Sequence, residues 1–221
     1  GIFLGTQVAV CLALLACAGL LGRSIANALA IDLGFQPSRV TLAQIRLGLE
    51  RYDPARGAAF LEELPRRLSE RPGVRSVSWT GILPLSGEES IETFEAEGYT
   101  PRKGEHPTIH VSGVGAGYFR TLQIPVAAGR EFGPDDRLGT QPVAVVNEAM
   151  ARRYWPGGSP IGRLLTIDTP RRIVGIVRDS RFTSLSSPAS PQAYAPILQI
   201  PTAALDQLTL LVRSDADPLA S

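Results

Sequence analysis

Lysine is almost absent from this 221-residue chain; Lys103 is the only one, and arginine carries nearly all the positive charge. A phosphate-binding P-loop needs a Gly-Lys pair, with the lysine on the phosphates. No Gly-Lys occurs, so the chain cannot be the ATP-hydrolysing part of any assembly. Cysteine is equally scarce. Cys11 and Cys17 both lie in the apolar leader, six apart on a helix and so on different faces. The remainder has no disulfide and no thiolate metal site, and sulfur does not reveal its compartment. The formal net charge of +1 gives no electrostatic case for nucleic acid. Gly-x-Ser-x-Gly, the nucleophile elbow of α/β-hydrolases, does not occur either.

Charge is also missing from Gly1 to Gly22, and this absence is informative. About 20 apolar residues at 1.5 Å rise cross a hydrocarbon layer of about 30 Å. Gly1–Gly22 therefore reads as a membrane span. A secretory signal peptide is the competing reading, but it calls for a basic n-region, a shorter apolar core and a small-x-small cleavage site. A buried core helix would show a polar stripe, which Val8–Leu21 lacks. Ala9, Ala13, Ala16 and Gly19 would let another helix approach closely. The chain begins with glycine rather than methionine, which suggests a piece of a longer polypeptide. Arg23–Ala30 continues the helical pattern as a stalk, which Gly34-Phe35-Gln36-Pro37 stops. Roughly 190 residues remain, enough for one large or two small domains.

Val40–Leu49 alternates as a strand, with a parity change that predicts a bulge near Ala43-Gln44. Asp53-Pro54 starts a helix with Asp as N-cap, and Phe60, Leu61, Leu64 and Leu68 form its apolar stripe. Pro65 is expected to kink or divide it. Val74–Thr80 is the next strand, with Val77 and Trp79 on one face. Beyond Gly81 come short strands at Ile91–Glu97, Thr108–Val114, Val143–Val146, Leu164–Asp168 and Arg172–Asp179. Short helices fall at Gly117–Leu122 and Glu148–Tyr154, the second capped by Asn147. A Ser/Pro linker, Ser184–Pro191, precedes strands at Gln192–Leu198 and Gln207–Arg213, and Asp217-Pro218 resembles a further helix start.

Chemistry-bearing constellations are few. His106 and His110 are the only histidines. Pro107, Thr108 and Ile109 favour an extended segment, where four residues span about 13 Å, too far for one metal ion. Gly113–Gly117 is G-x-G-x-G rather than a dinucleotide fingerprint, and reads as a turn entering the helix with Tyr118 and Phe119. Ser86 is best explained as part of a turn before Glu88-Glu89, and Asp135-Asp136 as a turn carboxylate pair. Trp155-Pro156-Gly157-Gly158 is a helix exit with a packed aromatic anchor. No catalytic, cofactor-binding or metal-ligating residue is assigned.

Several segments carry a family likeness in their order and spacing. They are Gly117–Pro125 (GYFRTLQIP), Gly129–Phe132 (GREF), Pro142–Glu148 (PVAVVNE), Ala151–Pro156 (ARRYWP), Pro160–Gly162 (PIG), Ile173–Asp179 (IVGIVRD) and Gln192–Pro196 (QAYAP). Together the chain resembles the MacB-like periplasmic core domain of MacB/FtsX-type ABC transporter permeases, most closely their duplicated acidobacterial-type subfamily. Pro65 departs from the pattern, since that helix is continuous in the family. The Gly113–Gly117 turn is also looser than the family's turn before Tyr-Phe. The resemblance implies an α+β fold: an N-terminal transmembrane helix, then a porter-like βαβ subdomain with an inserted strand-rich α+β subdomain. Residues 1–30 would be span and stalk, 38–80 and 191–221 the two porter-like parts, and 81–190 the insert. It implies a non-catalytic periplasmic domain at a bacterial inner membrane, coupling cytoplasmic ATP hydrolysis to export or mechanical work. Implied partners are the lipid bilayer, a separate ATP-binding subunit, a second permease half or a second copy, and a periplasmic adaptor. No cofactor or nucleic acid is implied. Two alternatives stand beside it: a membrane-anchored sensor or solute-binding domain, and a tethered hydrolase using Ser86, His106 or His110.

Overall fold

The computed structural model describes residues 2–29, 31–46, 54–184, 188–201 and 207–215. The chain forms two compact units, residues 1–33 and 34–221. In the first, helix α1 (Ile2–Leu29) runs unbroken for 28 residues, about 42 Å at 1.5 Å per residue. The expected span and stalk are therefore one helix. Its stretch Phe3–Ala26 has a mean hydropathy of 2.1, so α1 is long and apolar enough to cross a membrane. Leucines along it are exposed, Leu12 at 62% and Leu20 at 69%.

The second unit follows the sequence pattern closely. Strand β1 (Val40–Arg46), helix α2 (Pro54–Ser69) and strand β2 (Val74–Thr80) come first. Strands β3 (Ile91–Thr93), β4 (Glu95–Ala96) and β5 (Thr108–Val114) lead to helix α3 (Tyr118–Leu122) and strand β6 (Val126–Gly129). Then come strand β7 (Val143–Asn147), helix α4 (Glu148–Tyr154), and strands β8 (Leu164–Thr166) and β9 (Pro170–Val177). Strand β10 (Gln192–Pro196), a 3-10 turn (Ile197–Gln199) and strand β11 (Gln207–Ser214) complete the described elements.

All these strands join one sheet in the order β1-β11-β2-β5-β10-β7-β9-β8-β4, with β3 also on β5 and β6 also on β9. β5–β10 and β7–β9 are parallel, and the other pairs are antiparallel. The fold is α+β. One sheet face carries two apolar cores. In the first, Leu61 of α2 packs on Val77, Trp79, Ile197, Leu208 and Leu210. In the second, Met150 and Tyr154 of α4 pack on Ala144, Val146, Ile173 and Ala193. Val77 and Trp79 thus share the buried face that their alternation predicts. Between β2 and β5 the ladder narrows to one paired position, Thr80 opposite Val114.

Two local expectations give way. The register of β1 against β11 is continuous from Val40 to Arg46, with no bulge at Ala43-Gln44. The parity change carries no cost there, because β1 lies at the end of the strand order and Leu42 stays 50% exposed. Of the kink or division expected at Pro65, the division does not occur: α2 runs on through it. Proline cannot donate to the carbonyl four residues back, which leaves Leu61 O without its helical partner. The Trp79 indole N–H donates to that carbonyl at 2.9 Å and replaces the missing bond. Strand β6 escapes the alternation test because Val-Ala-Ala-Gly is exposed throughout, and it pairs with β9 through a register shift between Val126 and Ala128. The predicted Ile91–Glu97 strand breaks at Phe94, which turns into the core. Asp53, Leu47–Leu49 and Asp217-Pro218 lie outside the described residues.

Candidate functional site

The second unit begins with a short strap, Gly34–Arg39, that follows α1 in the chain. The strap is fixed at each end and in the middle. Gly34 adopts φ +73°, and a Cβ there would fall 2.3 Å from the Asp179 carbonyl oxygen, so only glycine allows this approach. Gln36 N–H donates to Leu122 O at 2.8 Å, tying the strap to the end of α3. Ser214 N–H donates to Arg39 O at 3.0 Å.

Arg213 of β11 locks these parts together. Its Nε donates to Thr121 O at 2.6 Å, its Nη1 to Ser38 O at 3.0 Å, and its Nη2 to Gln36 O. The residue is 8% exposed. A guanidinium presents five donors in a fixed planar fork, which suits several diverging carbonyls at once. Burial, then the nearby Arg39 charge, lowers its pKa. The strap, α3 and the last strand thus converge on one buried cation.

A second knot lies beside Gly34. The Asp179 carboxylate accepts from Ala149 N–H at 2.7 Å and from Arg152 Nη2 at 2.6 Å, at the first turn of α4. A carboxylate is stabilised there by the free N–H groups and the helix dipole. Asn147 caps the same helix as expected, its Oδ1 accepting from Met150 N–H at 3.0 Å. That oxygen also accepts from Gln192 N–H, and Asn147 Nδ2 donates to Ser190 O.

The residues weighed for chemistry do not converge. His110 lies on β5 opposite Gln192, while His106 lies in the preceding loop. No group of three or more His, Cys, Asp or Glu residues is poised for a metal ion among the described residues. Ser86 Oγ accepts from Glu88 N–H at 3.2 Å in an exposed turn. The glycines of Gly113–Gly117 serve close backbone approach rather than a phosphate. Gly81 N–H donates to Gly113 O at 2.8 Å, and Gly115 N–H to Trp79 O at 2.9 Å. Asp136 is more than a turn carboxylate: it is 6% exposed and clasps Arg130 through both oxygens, at 2.7 and 2.9 Å. Trp155 is a packed anchor whose indole N–H donates to Glu97 O at 2.8 Å. Two clefts flank Ala116 and Pro134. One, of about 280 Å³, lies between α2 and the 3-10 turn, and the other, of about 600 Å³, is lined by Arg120, Arg130 and Glu131.

Arg213 fell in no motif, while Asp179 closed the IVGIVRD segment and Gln36 lay in the helix stop, without either being given a role. The one signal was Arg213 itself, the cation that ends the apolar alternation of Leu208–Val212.

A helix long and apolar enough to cross a membrane precedes an α+β domain whose entry strap is clamped to its sheet. The chain belongs to the family of MacB-like periplasmic core domains, whose model matches residues 8–220. It is a periplasmic domain of a MacB-like ABC transporter permease. It is 29% identical over 154 residues to the macrolide export ATP-binding/permease protein MacB of Agrobacterium fabrum, covering 62% of this chain and 24% of that protein. It is 25% identical over 118 residues to the uncharacterized ABC transporter permease YknZ of Bacillus subtilis, covering 52% of this chain and 29% of that protein. The matches thus span about a quarter of each relative's length. In fold, the chain resembles the periplasmic region of MacB from Actinobacillus actinomycetemcomitans, with a TM-score of 0.53 at 15% identity over 88% of this chain and 83% of that one.

Proposed function

We propose that residues 34–221 are the non-catalytic periplasmic part of a transporter whose ATP hydrolysis takes place on a separate cytoplasmic subunit. In this reading α1 crosses the bacterial inner membrane and hands movement to the strap. The observation that carries it is the Arg213 clamp. It fastens the residues just after the helix to α3 and to β11, so that a pull on the strap loads the sheet instead of unravelling a loose linker. The porter-like part is residues 38–80 and 191–221, and residues 81–190 are its strand-rich insert. In that division β10 belongs to the porter-like part while pairing with β5 and β7 of the insert, and so stitches the two together. A second permease half or second copy, and a periplasmic adaptor, are the partners this arrangement would serve.

Hydrogen exchange in the assembled transporter tests the reading, with and without vanadate-trapped nucleotide. Exchange in residues 34–39 is expected to change with nucleotide. A flexible Gly-Ser insertion after Asp32 is expected to abolish that change while ATP hydrolysis continues. Identical exchange in both nucleotide states would sink the coupling. Saturable binding of a small solute in the cleft at Arg120 and Glu131, with no nucleotide effect, would favour the sensor reading instead.

A further inference from the structure

The two clefts of the second unit meet at Ala116 and Pro134, which line both. Their walls differ in chemistry. The cleft of about 280 Å³ is mainly apolar, walled by Leu61 and Pro65 of α2, Trp79 of β2, and Ile197 and Leu198 of the 3-10 turn. Ser78 lines it too; this residue is 1% exposed, and its hydroxyl has no hydrogen-bond partner. The cleft of about 600 Å³ is charged, lined by Arg120, Arg130, Glu131 and Asp135. In the division proposed above, the apolar walls come from the porter-like part and the charged ones from the insert. Small-molecule sites favour such boundaries, and they combine apolar walls with a few polar groups.

Two groups in the charged cleft lack partners. Arg130 is not one of them, since it is bound to Asp136 through both carboxylate oxygens. Arg120 is exposed, and its guanidinium makes no hydrogen bond or ion pair among the described residues, although it carries five donors. It lies over Gly117, next to the junction at Ala116. A Cβ on Gly117, whose φ is +74°, would stand 2.9 Å from Arg120 Nη2. Glu131 has the opposite lack: its Oε2 is buried without a donor. The cleft therefore holds a cation without an acceptor and an anion without a donor, and an apolar cleft adjoins it.

We infer that the joined clefts bind an apolar zwitterion, a hydrophobic amino acid or a short apolar peptide with free termini. The ligand's carboxylate accepts from Arg120, its ammonium donates to Glu131, and its side chain enters the apolar cleft beside Trp79. A guanidinium suits a carboxylate because its planar fork gives two parallel N–H···O bonds. A purely anionic ligand would meet Glu131 and Asp135 with nothing to offset them. A purely cationic one would leave Arg120 without an acceptor. The site goes beyond the proposed load path and does not rest on it. Its test contains no nucleotide, so a failure of coupling to ATP would leave it standing.

The test is titration of L-leucyl-L-phenylalanine into the full chain in detergent micelles, followed by the indole N–H resonances of the two tryptophans. Trp79 lines the apolar cleft, while Trp155 belongs to the other core. The Trp79 resonance, assigned with Trp79→Phe, is expected to move and to saturate below about 1 mM, and that of Trp155 to stay in place. The dipeptide amide lacks the carboxylate and the N-acetyl dipeptide lacks the ammonium; each is expected to bind about tenfold more weakly. Arg120→Gln is expected to weaken the dipeptide about tenfold and to leave the amide unchanged, whereas a merely structural role would weaken both alike. Glu131→Gln should likewise spare the N-acetyl form. Free phenylalanine, titrated in parallel, separates the two sources: tighter binding than the dipeptide points to an amino acid, weaker binding to a peptide. A Trp79 resonance that does not saturate up to about 10 mM of either probe would overturn the inference. So would equal affinity for dipeptide and amide, or equal loss of both in Arg120→Gln.

Discussion

At the scale of single residues, the most telling exchange is between Pro65 and Trp79. A helix-interior proline costs about 3 kcal/mol in an unsupported helix. Here the carbonyl it abandons, Leu61 O, is taken by a side chain from the neighbouring strand. Trp79→Phe keeps most of the ring packing but leaves that buried carbonyl unpaired, with an expected cost of about 1–3 kcal/mol. In a Pro65→Ala background the helix supplies its own N–H to Leu61 O, so the same substitution should cost distinctly less. A double-mutant cycle by chemical denaturation measures the difference, and strict additivity would refute the assignment.

Asp136 gives a residue-scale prediction in pH. Burial raises its pKa, but the Arg130 guanidinium and the Gly133 N–H outweigh that effect and hold the carboxyl below its ordinary value. The folded group therefore binds its proton less readily than the unfolded one, whose pKa is about 3.9. Its contribution is fully present above that value and is lost as pH falls through the lower folded pKa. Asp136→Asn should destabilise by about 1–2 kcal/mol near pH 7, since half-exposed Arg130 keeps its water, and by less as the pH falls below about 4. Denaturation midpoints across that range, with wild type and variant converging in acid, are the check. A gap that stays constant with pH would refute the ion-pair account.

At the scale of elements, Asn147 does more than a cap normally does. A cap alone is worth about 0.5–2 kcal/mol. This side chain also accepts from Gln192 N–H and donates to Ser190 O, joining α4 to the start of β10. Asn147→Ala should therefore exceed the range for a simple cap, at about 3 kcal/mol. Asn147→Asp keeps the acceptor and should recover about half of the loss. Equilibrium unfolding of the two variants separates the roles.

The same element shows what was legible beforehand. Asn before an amphipathic run is a local signal, so α4 and its cap could be read from Asn147–Tyr154 alone. β7 was equally readable from its apolar run Val143–Val146, and β5 and β9 from their β-branched residues. The bulge expected in β1 and the division that was one of the two outcomes expected at Pro65 do not occur, for one reason. Each was a correct local inference overruled by a partner distant in sequence: β11 in one case, Trp79 in the other. The strap clamp was hidden for the same cause. Arg213 meets Gln36 and Ser38 across more than 170 residues, and no spacing rule reaches that far.

At the scale of the whole molecule, the second unit depends on a narrow seam, and glycine is what makes the seam possible. The β2–β5 ladder has one paired position, and Gly115 continues it only because a Cβ there would meet Trp79 N at 2.9 Å. Gly115→Ala must push β5 away from β2 and should cost about 1–3 kcal/mol, the range for overpacking. Gly133→Ala, where a Cβ meets nothing within 4 Å, is the matched control and should fall within about 0.5 kcal/mol of wild type. Thermal unfolding of the pair distinguishes a tight seam from general sensitivity to alanine.

The largest-scale claim concerns α1, where composition decides between two fates. The apolar stretch Phe3–Ala26 is longer than the 7–15-residue core of a signal peptide and matches the thickness of a bilayer. Transfer of some 20 such residues from water to lipid is favourable by far more than the few kcal/mol that hold a typical domain together. Retained α1 should therefore keep the chain in the membrane even when the second unit is unfolded. Expressed in bacteria, the full chain should sediment with membranes, resist extraction by alkaline carbonate and be released by detergent. Mass spectrometry of the recovered chain should find Cys11 and Cys17 present. A carbonate-soluble product that begins beyond Gly22 would show that the leader is cut off after targeting, and the strap would then have no helix to follow.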